Sequence, residues 1–123
     1  MKIPGFLARQ FYVEGSLRNT DDGFELQAQN PMGDGVLIGV GQLRVDGREI
    51  MREDVSATRS NGADPISAVE IDKWHPVDVL RGEHVTLSVR GPKLEPGEHQ
   101  LEVELTERNL GALSFSITDR VAE

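Results

Sequence analysis

The residues most able to do chemistry are three histidines, His75, His84 and His99, since imidazole is both a metal ligand and an acid or base near neutral pH. They stand apart, with no HxH pair, no HExxH helix and no close carboxylate spacing to gather a metal. No serine lies in a GxSxG elbow or beside a credible local base, and the absence of cysteine removes thiolate nucleophiles and thiolate zinc sites. Asp21-Asp22-Gly23 lacks the alternating oxygen ligands and distal glutamate of a calcium loop, so it reads as a hairpin turn. The glycines from Gly33 to Gly41 follow neither GxGxxG nor GxxxxGK[ST], and no helix follows them to receive a phosphate. Strand and bulge account for them. His84 and His99 each open a predicted strand, where a surface or hydrogen-bonded imidazole is expected.

His75 differs because it lies in Lys73-Trp74-His75-Pro76, around the single tryptophan. An indole there either closes one end of a core, stacks on a ring, or anchors a protein contact. The flanking Lys73, His75 and Pro76 read as exposed loop.

The elements that must position these residues are strands. Apolar residues alternate at period two in Phe11, Val13 and Leu17, then in Phe24, Leu26 and Ala28, a pair that reads as a hairpin across Asp21-Asp22-Gly23. The set Val36, Ile38, Val40 changes phase to Leu43, Val45 with glycines at the change, as an inserted bulge residue requires. Asp46-Gly47 suits a type I′ turn, returning Arg48 to Met51 beside Leu43 to Val45. A short strand is expected at Val55 to Thr58, a loop at Asn61 to Pro65, and a weaker extended stretch from Ile66 to Ile71. Three clear strands follow, centred on Val85, Leu87 and Val89, on Leu101, Val103 and Leu105, and on Leu113, Phe115 and Ile117, with a turn at Leu94-Glu95-Pro96-Gly97. Seven to nine short strands imply an all-β fold, a single domain over 1–123 built as a two-sheet antiparallel β-sandwich of immunoglobulin-like or jelly-roll type.

A chain of 123 residues buries roughly two thirds of its unfolded surface and needs no disulfide. Its lack of cysteine fits a reducing compartment, and the cytoplasm is the expected location. The apolar run at the start is cut by Pro4 and Gly5 and closed by Arg9, so neither a signal peptide nor a membrane span is expected. A net charge of −8 without any basic cluster argues against nucleic acid as a partner.

Several stretches resemble a known family as a set. They are Met1 to Leu7, Tyr12-Val13-Glu14-Gly15-Ser16-Leu17-Arg18-Asn19-Thr20-Asp21-Asp22-Gly23-Phe24, the pair joined at Val45-Asp46-Gly47, Leu94 to His99, and Phe115 to Asp119. Together they resemble the small, or β, subunit of bacterial C-glycoside deglycosidases. That resemblance implies a β-sandwich subunit bound to a larger (β/α)8-barrel α subunit, which would hold a divalent metal, manganese being the expected ion, and the catalytic base. The activity implied is carbon–carbon lyase chemistry on a 3-oxo-C-glycoside. A sugar-to-aryl carbon–carbon bond has no bridging oxygen to protonate, so two-carboxylate hydrolysis cannot begin. A ketone at C3 makes the C2 proton removable, and the aryl group then leaves C1 by elimination.

On this reading the chain carries no catalytic residue, no cofactor and no metal of its own. It supports the barrel and helps close the substrate cavity against water. Ile3, Phe6, Leu7, Tyr12, Trp74 and His75 are the candidate partner-contact or cavity-closing residues, being apolar or amphipathic in segments expected to be loop or edge. The competing expectation for Ile3 to Leu7 is a first strand packed on its own domain. The alternative function is a stand-alone carbohydrate-binding or adaptor sandwich, although only six aromatic residues are present, four of them phenylalanines.

Overall fold

In a computed structural model, which describes residues 4–31 and 33–122, the chain forms two antiparallel sheets packed face to face. The first sheet has the order β1 (Arg18–Thr20), β2 (Gly23–Gln29), β8 (His84–Arg90), β5 (Val55–Arg59) and β6 (Ile66–Ser67). The second has β10 (Gly111–Val121), β9 (Gly97–Glu107), β3 (Gly35–Val45) and β4 (Arg48–Ile50), with β7 (Val77–Val79) also paired to β3. The expected sandwich is therefore present. Its strands number ten among the described residues, because β1, β4, β6 and β7 are each only two or three residues long.

The core lies where the inward phases of the two sheets meet. Phe24, Leu26, Val85, Leu87 and Val89 face Leu43, Val45, Leu101, Val103 and Phe115, and each is nearly inaccessible. Burying a side chain of this size contributes about 1.5–3 kcal/mol.

In β3 the alternation fails twice rather than once. The register of β3 against β9 shifts between Leu37 and Gly39 and again between Val40 and Leu43, so the buried set is Leu37, Val40, Leu43 and Val45. Each shift advances the pleat by one residue, and two together restore the original facing. Asp46 and Gly47 take φ values of 53° and 82°, the left-handed pair that a type I′ turn needs, and β4 returns as expected with Val45 opposite Arg48.

The amino-terminal segment departs from its strand expectation. Gly5–Phe11 is an α-helix, α1, whose first turn is closed by Leu7 and Ala8 N–H groups donating to the Pro4 carbonyl at 3.0 and 2.9 Å. Leu7, Ala8 and Phe11 fall at helical spacing, and Ala8 is fully buried while Leu7 and Phe11 pack against the core. The chain then runs beside β2 without regular pairing, from a bridge at Tyr12 and Ala28 to β1. The expected hairpin thus begins at Arg18, not at Phe11. The extended stretch expected from Ile66 to Ile71 is likewise two residues of strand followed by a single helical turn, Ala68–Glu70.

Gly23, where β2 starts, has no room for a side chain: a Cβ there would lie 2.1 Å from the Val89 carbonyl oxygen. Gly62 has an open surround and a φ of +86°. Gly23→Ala is expected to lower unfolding free energy by about 3 kcal/mol or more, and Gly62→Ala by about 1 kcal/mol. Urea denaturation of the two variants checks this ordering.

Candidate functional site

Two groups of polar residues stand out, one buried and one exposed. In β9 and β10 the inward face reads His99, Leu101, Val103, Leu105 and Leu113, Phe115, Ile117, Asp119, Val121. His99 and Asp119 interrupt it, lie opposite one another in the register, and are each only 8% exposed.

Asp119 binds the segment that follows α1. Its Oδ2 accepts from the Tyr12 hydroxyl at 2.5 Å and from the backbone N–H groups of Gly15 and Leu17 at 3.1 and 3.2 Å. Its Oδ1 accepts from the Arg120 N–H at 2.8 Å. β10 is the edge of one sheet and β1 the edge of the other, so these bonds close the flank of the sandwich. Burial, followed by the hydrogen bond to Asp119, pushes the Tyr12 phenol far above its ordinary pKa. A phenol held neutral there donates to the carboxylate.

His99 clamps the opposite side of β9. Its Nδ1 lies 2.6 Å from Asp46 Oδ2 in the β3–β4 turn, and its Nε2 lies 2.6 Å from the Glu95 carbonyl. Both neighbours are acceptors, an arrangement satisfied in full when both ring nitrogens carry a proton. The hydrogen bond to the Glu95 carbonyl, then the Asp46 carboxylate, raises the His99 pKa against the opposing effect of burial. Asp46 is held below its ordinary range by the Gln100 N–H and by His99.

The exposed group is the turn Asp72 to His75. Asp72 Oδ1 accepts from the backbone N–H groups of Trp74 and His75, both at 2.8 Å, and lies 3.1 Å from His75 Nδ1. Desolvation acts to raise the Asp72 pKa, but those donors outweigh it and hold the group below its usual value. The turn presents the Trp74 ring, 75% exposed, with Lys73 Nζ 5.0 Å from its centroid. Met51, just before the helical turn Arg52–Asp54, and Val69, within the contacting turn Ala68–Glu70, are also exposed. Arg52 holds that region, its Nε donating to the Val40 carbonyl at 3.0 Å and its guanidinium reaching the Ala68 carbonyl at 3.3 Å.

The six residues singled out as contacts therefore part company. Trp74 and His75 lie together on the surface turn. Tyr12, 1% exposed, is an internal brace and offers no surface for a contact, while Leu7 is partly buried against the core. Phe6 lies within α1 but its side chain, like Ile3, is outside the described residues. Asp119 and Asp72 were not singled out, though each left a signal: Asp119 puts a charge in an inward phase, and Asp72 precedes a turn it can cap. Among the described residues no group of three or more His, Asp or Glu side chains is placed to hold a metal ion. No helix among them is long and apolar enough to cross a membrane.

A family model described as hydroxymethylglutaryl-CoA reductase, N-terminal domain, matches residues 7–122. The chain belongs to this family. The match spans the whole sandwich, from α1 through β10. Comparison with curated proteins gives no significant match.

Removing the Asp119 carboxylate leaves three N–H or O–H donors of the 12–17 segment without their acceptor, so Asp119→Ala is expected to cost about 3 kcal/mol or more, and Tyr12→Phe about 1–2 kcal/mol. Chemical denaturation checks both. The raised His99 pKa contributes stability that is complete below the unfolded value, about 6.5, and is lost as pH rises through the higher folded value. Thermal melts should therefore show stability falling from near-neutral pH upward in the wild type, with that fall removed in His99→Gln.

Proposed function

We propose that this chain is the small, non-catalytic subunit of a heteromeric enzyme, and specifically the β subunit of a C-glycoside deglycosidase. The observation that carries the subunit reading is the Trp74 turn. A large aromatic side chain is turned outward on a loop whose backbone donates two N–H groups, those of Trp74 and His75, to one oxygen of Asp72, which also lies beside the His75 ring. A loop whose backbone is already held loses little main-chain freedom on docking, and the large apolar area of tryptophan is why that residue so often anchors an interface.

The deglycosidase assignment rests on the sequence resemblance. In that assignment the barrel partner supplies the metal and the base. The described residues of this chain do not form a site fitted to a metal, and no reaction step is assigned to them. The sandwich's role is to present Trp74 and His75 to the barrel and help keep water from the substrate cavity.

A second reading has its own support. The family's name attaches this domain to a reductase of hydroxymethylglutaryl-CoA, so an accessory domain of such a reductase is the competing assignment. Both readings make the sandwich a companion to a larger catalytic unit. They differ in what that unit does.

Trp74→Ala is expected to leave the isolated chain as stable as the wild type within about 0.5 kcal/mol, because the ring is exposed. It should weaken binding to the partner by about 2 kcal/mol or more, roughly 30-fold. Copurification and calorimetry check this. Cleavage of a 3-oxo-C-glucoside by the wild-type complex supports the deglycosidase assignment, whereas reduction of hydroxymethylglutaryl-CoA by it supports the second reading. An unfolded Trp74→Ala chain contradicts the docking role.

A further inference from the structure

The sandwich is open at the end away from His99. Where β2 and β9 finish and β3, β8 and β10 begin, the sheets enclose a slot of about 290 Å³. One wall is formed by Ala28 and Leu87 of the first sheet, the other by Leu37, Leu105 and Leu113 of the second, and Phe11 from the end of α1 closes the flank. Ala28 lines the slot with a small side chain, beside its β8 partner Val85, where the preceding inward position of β2 carries Leu26.

The volume lies at the lower limit for small-molecule sites, roughly 300 Å³. Facing sheets about 10 Å apart favour a flat occupant.

The rim decides its charge. Asp34 and Glu107 border the slot with Asn30 and Asn109, and no Lys, Arg or His is among its described lining residues, the nearest cation acting on Glu107 being its chain neighbour Arg108. Glu107 is set in place by the N–H groups of Val36, Asn109 and Leu110, at 2.9, 2.7 and 2.9 Å. Asp34 accepts from the Arg81 N–H at 3.0 Å. A rim of fixed carboxylates repels carboxylate or phosphate head groups and accepts hydrogen bonds from neutral hydroxyls.

We propose that this slot binds a neutral, hydroxylated aromatic molecule of one or two fused rings, with its rings between the sheets and its hydroxyl at the Asp34–Glu107 rim. The site belongs to this chain alone and does not depend on the identity of the catalytic partner.

The probe is 2-naphthol, titrated into the full chain by calorimetry and by methyl NMR. The expected result is saturable one-to-one binding with a dissociation constant on the order of tens of micromolar. Shifts should be concentrated on Ala28, Leu37, Leu105 and Leu113. The anionic counterpart 2-naphthoate should bind at least tenfold more weakly. Ala28→Phe, which fills the slot, should abolish binding, as should Leu105→Trp at a less buried position that guards against misfolding of the first variant. No saturable binding overturns the proposal, as does equal binding of 2-naphthoate or binding unchanged in both folded variants. A dimer whose formation closes the mouth to 2-naphthol would give the slot to a second copy of the chain, and would also overturn it.

Discussion

The Asp119 carboxylate is the point on which the closed form of this sandwich depends. Stacked sheets bury their faces against one another, but each leaves edge strands whose backbone groups lack partners. Here β10 and β1 are such edges, and the irregular segment from Tyr12 to Leu17 spans the flank between them. That segment has little regular pairing of its own. Three donors from it converge on one oxygen of Asp119, which fixes its course and thereby seats α1 against the core. A charge in the interior is tolerated because its bonds are already in place.

Histidine 99 does similar work at the adjoining turns. Held between Asp46 and the Glu95 carbonyl, it joins the β3–β4 turn to the start of β9. Asn19 repeats the device on the other sheet, exchanging two 2.8 Å hydrogen bonds with the backbone of Leu94. The two buried polar residues among those described, His99 and Asp119, are thus committed to holding the fold. What faces outward is a different residue, Trp74, on a turn whose backbone is held by Asp72. That separation, with polar braces inside and an exposed aromatic outside, supports the proposal of a scaffold that docks to a companion.

Much of the fold was legible because strand periodicity depends on local facing. The β8, β9 and β10 alternations, the Asp46-Gly47 turn and a bulge in β3 could all be read from residue order. The helix at Gly5–Phe11 could not be separated from a strand so easily, since Leu7, Ala8 and Phe11 provide only two turns of pattern and Phe11, Val13 and Leu17 offered a competing one. The shift between Leu37 and Gly39 was hidden because Val36, Leu37 and Ile38 are all apolar, so either phase fits there. Of the candidate site, Trp74 and His75 were legible from their loop-forming neighbours. Tyr12 misled, because an amphipathic residue beside an edge can as well turn its hydroxyl inward to a carboxylate 107 residues away.

In the function proposed above, this sandwich contributes to catalysis only through a larger partner. The direct measurement is turnover of a 3-oxo-C-glucoside by the purified chain, by the purified barrel protein, and by the two combined. The account predicts aryl release from the combination at a rate far above the sum of the separate components, and none from this chain alone. Turnover by the lone chain, or a barrel protein whose rate the chain does not change, would contradict it.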